Sequence, residues 1–239
     1  METAANPAQS AGLATFVIAI DGTAGSGKSS ASRGVAKRLG LRYLDTGAMY
    51  RAMTWQMLLD GVDVFDAEAV AVRADTVEIQ SGTDPVTPTI RLGGESVARE
   101  IRTGEVNAAV SPVSAVPHVR ELLVAQQRQL IGSGGIVVEG RDIGTVVAPN
   151  ADLKVYLTAH PSARAQRRSA EMDPGTSSGV DTVEADLRRR DDYDSTRATA
   201  PLSVAPDAVH LDTTDLTLEQ VIDTLVDLAL ERASAGARG

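Results

Sequence analysis

Gly22-Thr23-Ala24-Gly25-Ser26-Gly27-Lys28-Ser29 is the stretch on which the reading of this chain turns. It follows the apolar run Thr15 to Ile20. It leads into Lys28 to Leu39, where Ala31, Val35, Ala36 and Leu39 recur at helical spacing and Gly40 stops the segment. A strand, a glycine-rich turn bearing a lysine and a hydroxyl, and a helix together match G-x-x-x-x-G-K-[ST]. Phosphate oxygens need many donors at close range. Glycines let the backbone curl so that its N–H groups converge on them, and the helix behind adds the positive end of its dipole. In such a loop Lys28 reaches the β- and γ-phosphates of a donor such as ATP, and the Ser29 hydroxyl ligates Mg²⁺. Ser30 follows on the first turn of the helix and is grouped with the same donor site.

Outward from this loop, strand and helix signals alternate. Short apolar runs at Leu41 to Leu44, Gly135 to Val138, Leu153 to Leu157 and Ala208 to Leu211 read as strands. Helical spacing marks Ala48 to Leu59, Pro161 to Met172, Val183 to Arg190 and Leu218 to Glu231. The expectation is an α/β fold, a parallel β-sheet covered by helices on both faces. Thr76 to Gln80 and Thr87 to Leu92 break the rhythm by alternating apolar and polar residues, which predicts a hairpin with one wet face. Residues 73–110 are therefore expected to form a small antiparallel insertion. The Pro, Gly and Ser of Asp173 to Asp181 predict a loop within a helical lid at 161–181. One domain is expected over 14–232, with tails at 1–13 and 233–239.

Composition narrows the function. In 239 residues, Lys and Arg number 23 and Asp and Glu 32, a net charge of −9 that argues against a duplex-DNA surface. Aromatic residues make up 3 %, too few for a base-stacking platform. Cysteine is absent, which excludes thiolate metal sites and a Cys nucleophile and fits a cytoplasmic setting. No basic n-region or long apolar run suggests a targeting segment or a membrane. His118, His160 and His210 lack ligand spacing, and Met53 and Trp55 read as core residues on a helix.

Arginines cluster after turns. Arg51 follows Asp45-Thr46-Gly47-Ala48-Met49-Tyr50, Arg141 follows Glu139-Gly140, and Arg190 and Arg197 flank Asp191-Asp192-Tyr193-Asp194. A phosphoryl group in transfer spreads negative charge over several oxygens, and guanidinium forks suit it. Arg164, Arg167 and Arg168, at i, i+3 and i+4, share a helix face. They read either as lid arginines that close on ATP phosphates or as a solvated face paired with Glu171 and Asp173. No N-K-x-D guanine signature is present.

In these residues the chain resembles the cytidylate kinases, a family of P-loop nucleoside monophosphate kinases. The resemblance is carried by Ile20 to Ser29, Leu44-Asp-Thr-Gly-Ala-Met-Tyr-Arg51, Ile101-Arg-Thr-Gly-Glu-Val106, Val119-Arg-Glu-Leu122, Glu139-Gly-Arg-Asp-Ile-Gly-Thr-Val-Val147 and Arg189 to Arg197 before Ala200-Pro-Leu202. It implies Mg-dependent transfer from ATP to CMP or dCMP. It also implies roles: Thr46, Arg51, Arg141 and Arg197 on the acceptor phosphate, Arg190 near phosphate and sugar, Asp194 on the sugar hydroxyl, and Ser111, Arg120 and Asp142 on cytosine. Lys28, Arg141, Arg190 and Arg197 are the expected catalytic groups. A carboxylate and an arginine complement the N4 amine and the N3 and O2 acceptors of cytosine. Asp142 has a blander reading, as a helix cap or as a partner of Arg141. Another small P-loop kinase with a different acceptor, or a nucleotide-binding regulator, stays open. A monomer is expected.

Overall fold

In the computed structural model, which describes residues 12–170, 179–196 and 202–236, the apolar run before the glycine-rich loop becomes β1 (Val17–Gly22). It pairs in parallel with β6 (Ile136–Glu139) on one side and β7 (Leu153–Thr158) on the other. With β2 (Arg42–Asp45) and β8 (Val209–Asp212) outermost, the sheet runs β2-β6-β1-β7-β8, all parallel. Strands covered on both faces are apolar along their central residues, which is why Val17 to Ile20 and Ile136 to Val138 read as unbroken hydrophobic runs.

Alternation along each strand divides the interior into two cores. Ile18, Ile20, Tyr43 and Val137 face α1 (Lys28–Leu39) and α8 (Leu218–Gly236), meeting Val35, Leu39, Ile222 and Leu225. Ala19, Leu44 and Val138 face the other way, onto Met49 and Met53 of α2 (Thr46–Leu59). Met53 is thus a core residue, and Trp55 packs half-buried against the same cluster. Helix α2 starts two residues earlier than expected because the Asp45 carboxylate caps it, accepting from Ala48 N at 2.9 Å.

Three helices in this second core were not anticipated: α3 (Ala67–Ala74), α4 (Gly104–Ala115) and α5 (Pro117–Ile131). Asp66 and Thr103 cap the first two, and Pro117 opens the third. Helix α4 carries Pro112 in its interior, which hides the helix from a pattern search. The expected insertion at 73–110 is corrected accordingly. Its antiparallel part is a three-stranded sheet, β3 (Ile79–Ser81), β4 (Ile90–Leu92) and β5 (Glu95–Ser96), and the chain is helical from Gly104. Gly93 and Gly94, at φ 54° and 89°, turn β4 back into the extra strand.

Helices α6 (Pro161–Ala170) and α7 (Val180–Thr196) close over the glycine-rich loop, where Ala24 packs with Ala165, Val183 and Leu187. Helix α7 is longer than the expected Val183 to Arg190, while the loop residues 171–178 of the expected lid lie outside the described residues. Both tail boundaries shift. Leu13 is buried in the α1–α8 core rather than free, and α8 continues past Ala233 to Gly236.

Candidate active site

The carboxyl ends of β1, β6 and β2 lie side by side in the parallel sheet, and sequence elements singled out above are joined across them by hydrogen bonds. The loop after β1 holds Gly22, Thr23, Ala24, Gly25, Ser26 and Gly27 before Lys28, Ser29 and Ser30 begin α1. A Cβ on Gly22 would stand 2.1 Å from the Leu157 carbonyl, so only glycine lets the loop leave the sheet here. Gly27, at φ 86°, turns the chain into α1, and no side chain caps that helix. Its first N–H groups are the donors an anion requires. Thr213, 1 % exposed, braces the loop with its hydroxyl 3.2 Å from Ser26 O and 3.0 Å from Thr158 O.

Lys28 curls over the loop and donates to Thr23 O at 2.6 Å. Burial, reinforced by the Arg141 charge, drives its ammonium pKa well below the usual lysine range, and Glu139 and Asp191 oppose the shift. Glu139, at the end of β6, accepts hydrogen bonds from the Ser29 hydroxyl at 3.0 Å and from the Tyr43 hydroxyl. Burial and the neighbouring Asp45 carboxylate raise its pKa above the ordinary glutamate range. Burial also keeps the Tyr43 phenol protonated. Serine hydroxyl and carboxylate are hard oxygen donors of the kind Mg²⁺ takes together with substrate phosphates and water. Among the described residues, no group of three or more His, Cys, Asp or Glu is placed to hold a metal ion.

After β6, Arg141 donates from Nε to Asp194 at 2.9 Å and from Nη1 to Gly22 O at 2.5 Å, which lays its guanidinium against the start of the glycine-rich loop. The Thr46 hydroxyl, at the start of α2, donates to Glu139 O at 2.7 Å. Arg51 donates to Ile101 O at 2.9 Å from the same helix. Arg120 of α5 forms a buried ion pair with Asp142, lies 5.4 Å from the Tyr50 ring centre, and reaches Ser114 O at 3.4 Å. Ser111 stands half-buried one turn away on α4, and its carbonyl accepts from the Ser114 hydroxyl. Asp142 therefore neither caps the following π-helical turn (Ile143–Val147) with its side chain nor takes Arg141 as its salt-bridge partner.

Arg164 and Arg167 part company despite their shared spacing. Arg164 is 6 % exposed, pairs with Asp191 and donates to Ala24 O at 3.0 Å, so it grips the outside of the glycine-rich loop. Asp191 also accepts from Ala24 N at 3.0 Å. Arg167 instead binds the Thr213 hydroxyl and carbonyl at 3.0 and 2.5 Å, joining α6 to the segment after β8. Arg168 sits half-buried on α6. Neither Glu171 nor Asp173 lies among the described residues, nor does Arg197, and Arg190 is described only as a backbone position in α7.

Four groups went unnoticed as site residues: Glu139, Tyr43, Asp191 and Asp21. Asp21, 5 % exposed at the end of β1, accepts from Ile143 N and Gly144 N, both at 2.8 Å, and so holds the turn that follows Asp142. Burial pushes its pKa up to about 6 against the pull of those two hydrogen bonds. The sequence hint was present, since Asp21 and Glu139 are acids ending apolar strands that otherwise have no reason to bear a charge.

No helix among the described residues is long and apolar enough to cross a membrane. The sequence model of the family described as cytidylate kinase matches residues 18–231. A cytidylate kinase of Streptomyces avermitilis is 54 % identical over 92 % of this chain and 94 % of its own length. One of Streptomyces griseus subsp. griseus is 55 % identical over 90 % of this chain and 92 % of its own. A third, of Rhodococcus opacus, is 52 % identical over 93 % and 98 %. With the family model spanning residues 18–231 and relatives more than half identical over at least nine-tenths of both chains, the chain belongs to the cytidylate kinase family.

Proposed function

We propose that this chain transfers the γ-phosphoryl group of ATP to CMP or dCMP with the help of Mg²⁺, giving ADP and CDP or dCDP for pyrimidine nucleotide metabolism. The observation that carries the reading is the buried Arg120–Asp142 pair, its carboxylate three residues beyond Glu139 and next to the arginine that touches the glycine-rich loop. An ionised carboxylate accepts only, and with about four lone-pair sites it holds Arg120 and still takes the N4 amine of cytosine. Arg120 supplies the donors for N3 and O2, while uracil would turn O4 toward Asp142 and be repelled.

An oxygen of the acceptor phosphate, already ionised at neutral pH, attacks the γ-phosphorus as the bond to ADP breaks, so no strong general base is required. Lys28 and the α1 N-terminus hold the donor phosphates. Thr46, Arg51, Arg141 and Arg197 orient the acceptor phosphate, with Arg190 and Asp194 toward the sugar and Ser111 toward the base. Arg164 and Arg168 serve the donor side. Ser29 and Glu139 are the residues that would hold Mg²⁺, which when bound neutralises charge on the β- and γ-phosphate oxygens. Catalysis is then positioning plus charge stabilisation. A monomeric, cytoplasmic enzyme with nucleotides as its partners, and neither nucleic acid nor membrane, completes the proposal.

Coupled ADP release measured with AMP, CMP, dCMP, GMP, UMP and shikimate as acceptors tests this reading. Turnover should require CMP or dCMP. A different preferred acceptor would replace the substrate assignment, and ADP release indifferent to any acceptor would favour a nucleotide-binding regulator.

A further inference from the structure

Tyr43 stands opposite Val137 across the β2–β6 ladder, and Asp45 opposite Glu139. Alternation therefore sends Tyr43, Asp45 and Glu139 to the same face of the sheet, the one covered by α1. Tyr43 is 1 % exposed and Glu139 3 %. The Tyr43 hydroxyl donates to Oε1 of Glu139, and the Ser29 hydroxyl, arriving from α1, lies 3.0 Å from Oε2. One carboxylate is thus gripped at both oxygens by hydroxyls from two different elements.

That double grip has a consequence for geometry. The terminal torsion of a glutamate is broad, so a carboxylate held at one oxygen is free to rotate. A phenol next to a carboxylate can only be the donor, which leaves the Oε1 contact with one polarity and one direction. Packing alone would be met by Phe or Leu at this position, since the ring already lies in the α1–α8 core.

We propose that Tyr43 is a positioning residue for phosphoryl transfer, pinning one oxygen of Glu139 so that the other stays aligned with the Ser29 hydroxyl where the metal of the donor nucleotide is held. The role rests on the donor-site reading above. It predicts that losing the hydroxyl weakens the coupling between Mg²⁺ and ATP while leaving the acceptor side alone.

The test is Tyr43→Phe in the full chain, with Tyr43→Leu as a second variant lacking the same hydroxyl. ATP binding is followed by calorimetry with and without Mg²⁺, alongside kcat, the half-saturating Mg²⁺ concentration, KM for CMP and Tm. Losing one buried hydrogen bond to a charged group is expected to lower kcat roughly tenfold. Half-saturating Mg²⁺ should rise severalfold, and the gain in ATP affinity that Mg²⁺ confers should shrink. Mg-free ATP affinity and KM for CMP should hold. A folded variant of either kind that keeps the wild-type Mg²⁺ increment overturns the role, even with a lower Tm, and so does failure of both variants to fold, which would assign the hydroxyl to folding. Wild-type protein measured alongside separates the levels. If its ATP affinity ignores Mg²⁺, the donor-site reading falls and takes the Tyr43 role with it. A wild-type Mg²⁺ effect retained in full by Tyr43→Phe removes the Tyr43 role alone.

Discussion

Replacing Asp21 with Asn sets the cost of burying a charge against the value of the turn it holds. Both carboxylate oxygens accept a backbone N–H, from Ile143 and from Gly144, at 2.8 Å. Asn offers one oxygen and one amine, so one backbone donor is left facing another donor. That costs about 1–3 kcal/mol. The wild-type protein carries a burden of its own, because burial pushes the Asp21 pKa up to about 6. A carboxyl group whose pKa is higher folded than unfolded adds stability at low pH and loses that contribution as pH rises through about 6. Asn does not titrate. The deficit of Asp21→Asn relative to wild type should therefore widen as pH falls. It should grow by about 1 kcal/mol between pH 8 and pH 5, on the way to about 3 kcal/mol once the unfolded chain is protonated too. Urea denaturation of both proteins at pH 8, 6.5 and 5 reads the difference directly, since other groups titrate alike in the two chains. A deficit that stays flat, or widens toward pH 8, would refute the account of Asp21 as a buried, desolvated carboxylate.

Further outcomes follow from the same geometry. Lys28→Ala should leave the far-ultraviolet circular dichroism unchanged and cut transfer at least a hundredfold, because a buried ammonium contributes little to stability and much to charge neutralisation in the transition state; near-normal turnover in the folded variant would remove the loop as donor site. Asp142→Asn should narrow the CMP-over-UMP ratio of kcat/KM by roughly ten- to hundredfold and also lower Tm, since Arg120 loses its ionic partner. A lower Tm with an untouched ratio would confine Asp142 to structure. Chelating divalent cations should stop transfer while Tm holds, given that the described residues form no acid or histidine cluster able to bind a metal unaided; a fall in Tm would reveal a structural ion.

Local signals made a large part of this molecule legible. Helix α1 was readable to the residue, because four apolar positions at helical spacing are closed by Gly40, whose φ of 67° only glycine adopts readily. The parallel core was readable from unbroken apolar runs such as Ile136 to Val138, which only a strand covered on both faces can use. The hairpin was readable as a pair of wet-faced strands, although its third strand depends on the turn at Gly93 and Gly94 and escaped notice. Helices α3, α4 and α5 escaped as well. The first has only eight residues, the second is interrupted by Pro112, and all three are held by a core assembled from α2 and the sheet rather than by a strong pattern of their own.

The sequence by itself determined the glycine-rich loop after β1 that we propose as the phosphate site, since glycine spacing, Lys28 and the helix start are neighbours along the chain. It could not determine that β6 would slip between β1 and β2. That insertion brings Glu139 to Ser29 across 110 residues and to Tyr43 across 96, and it brings Arg141 to Gly22 across 119. Spacing also put Arg164 and Arg167 on one helix face, yet folding gave them separate partners, Asp191 and Thr213. The physical reason is the same in each case. Backbone geometry and capping act over a few residues and leave a local trace, whereas a buried charge takes whichever distant partner the packed sheet delivers, because leaving it unpaired would cost more than any local preference supplies.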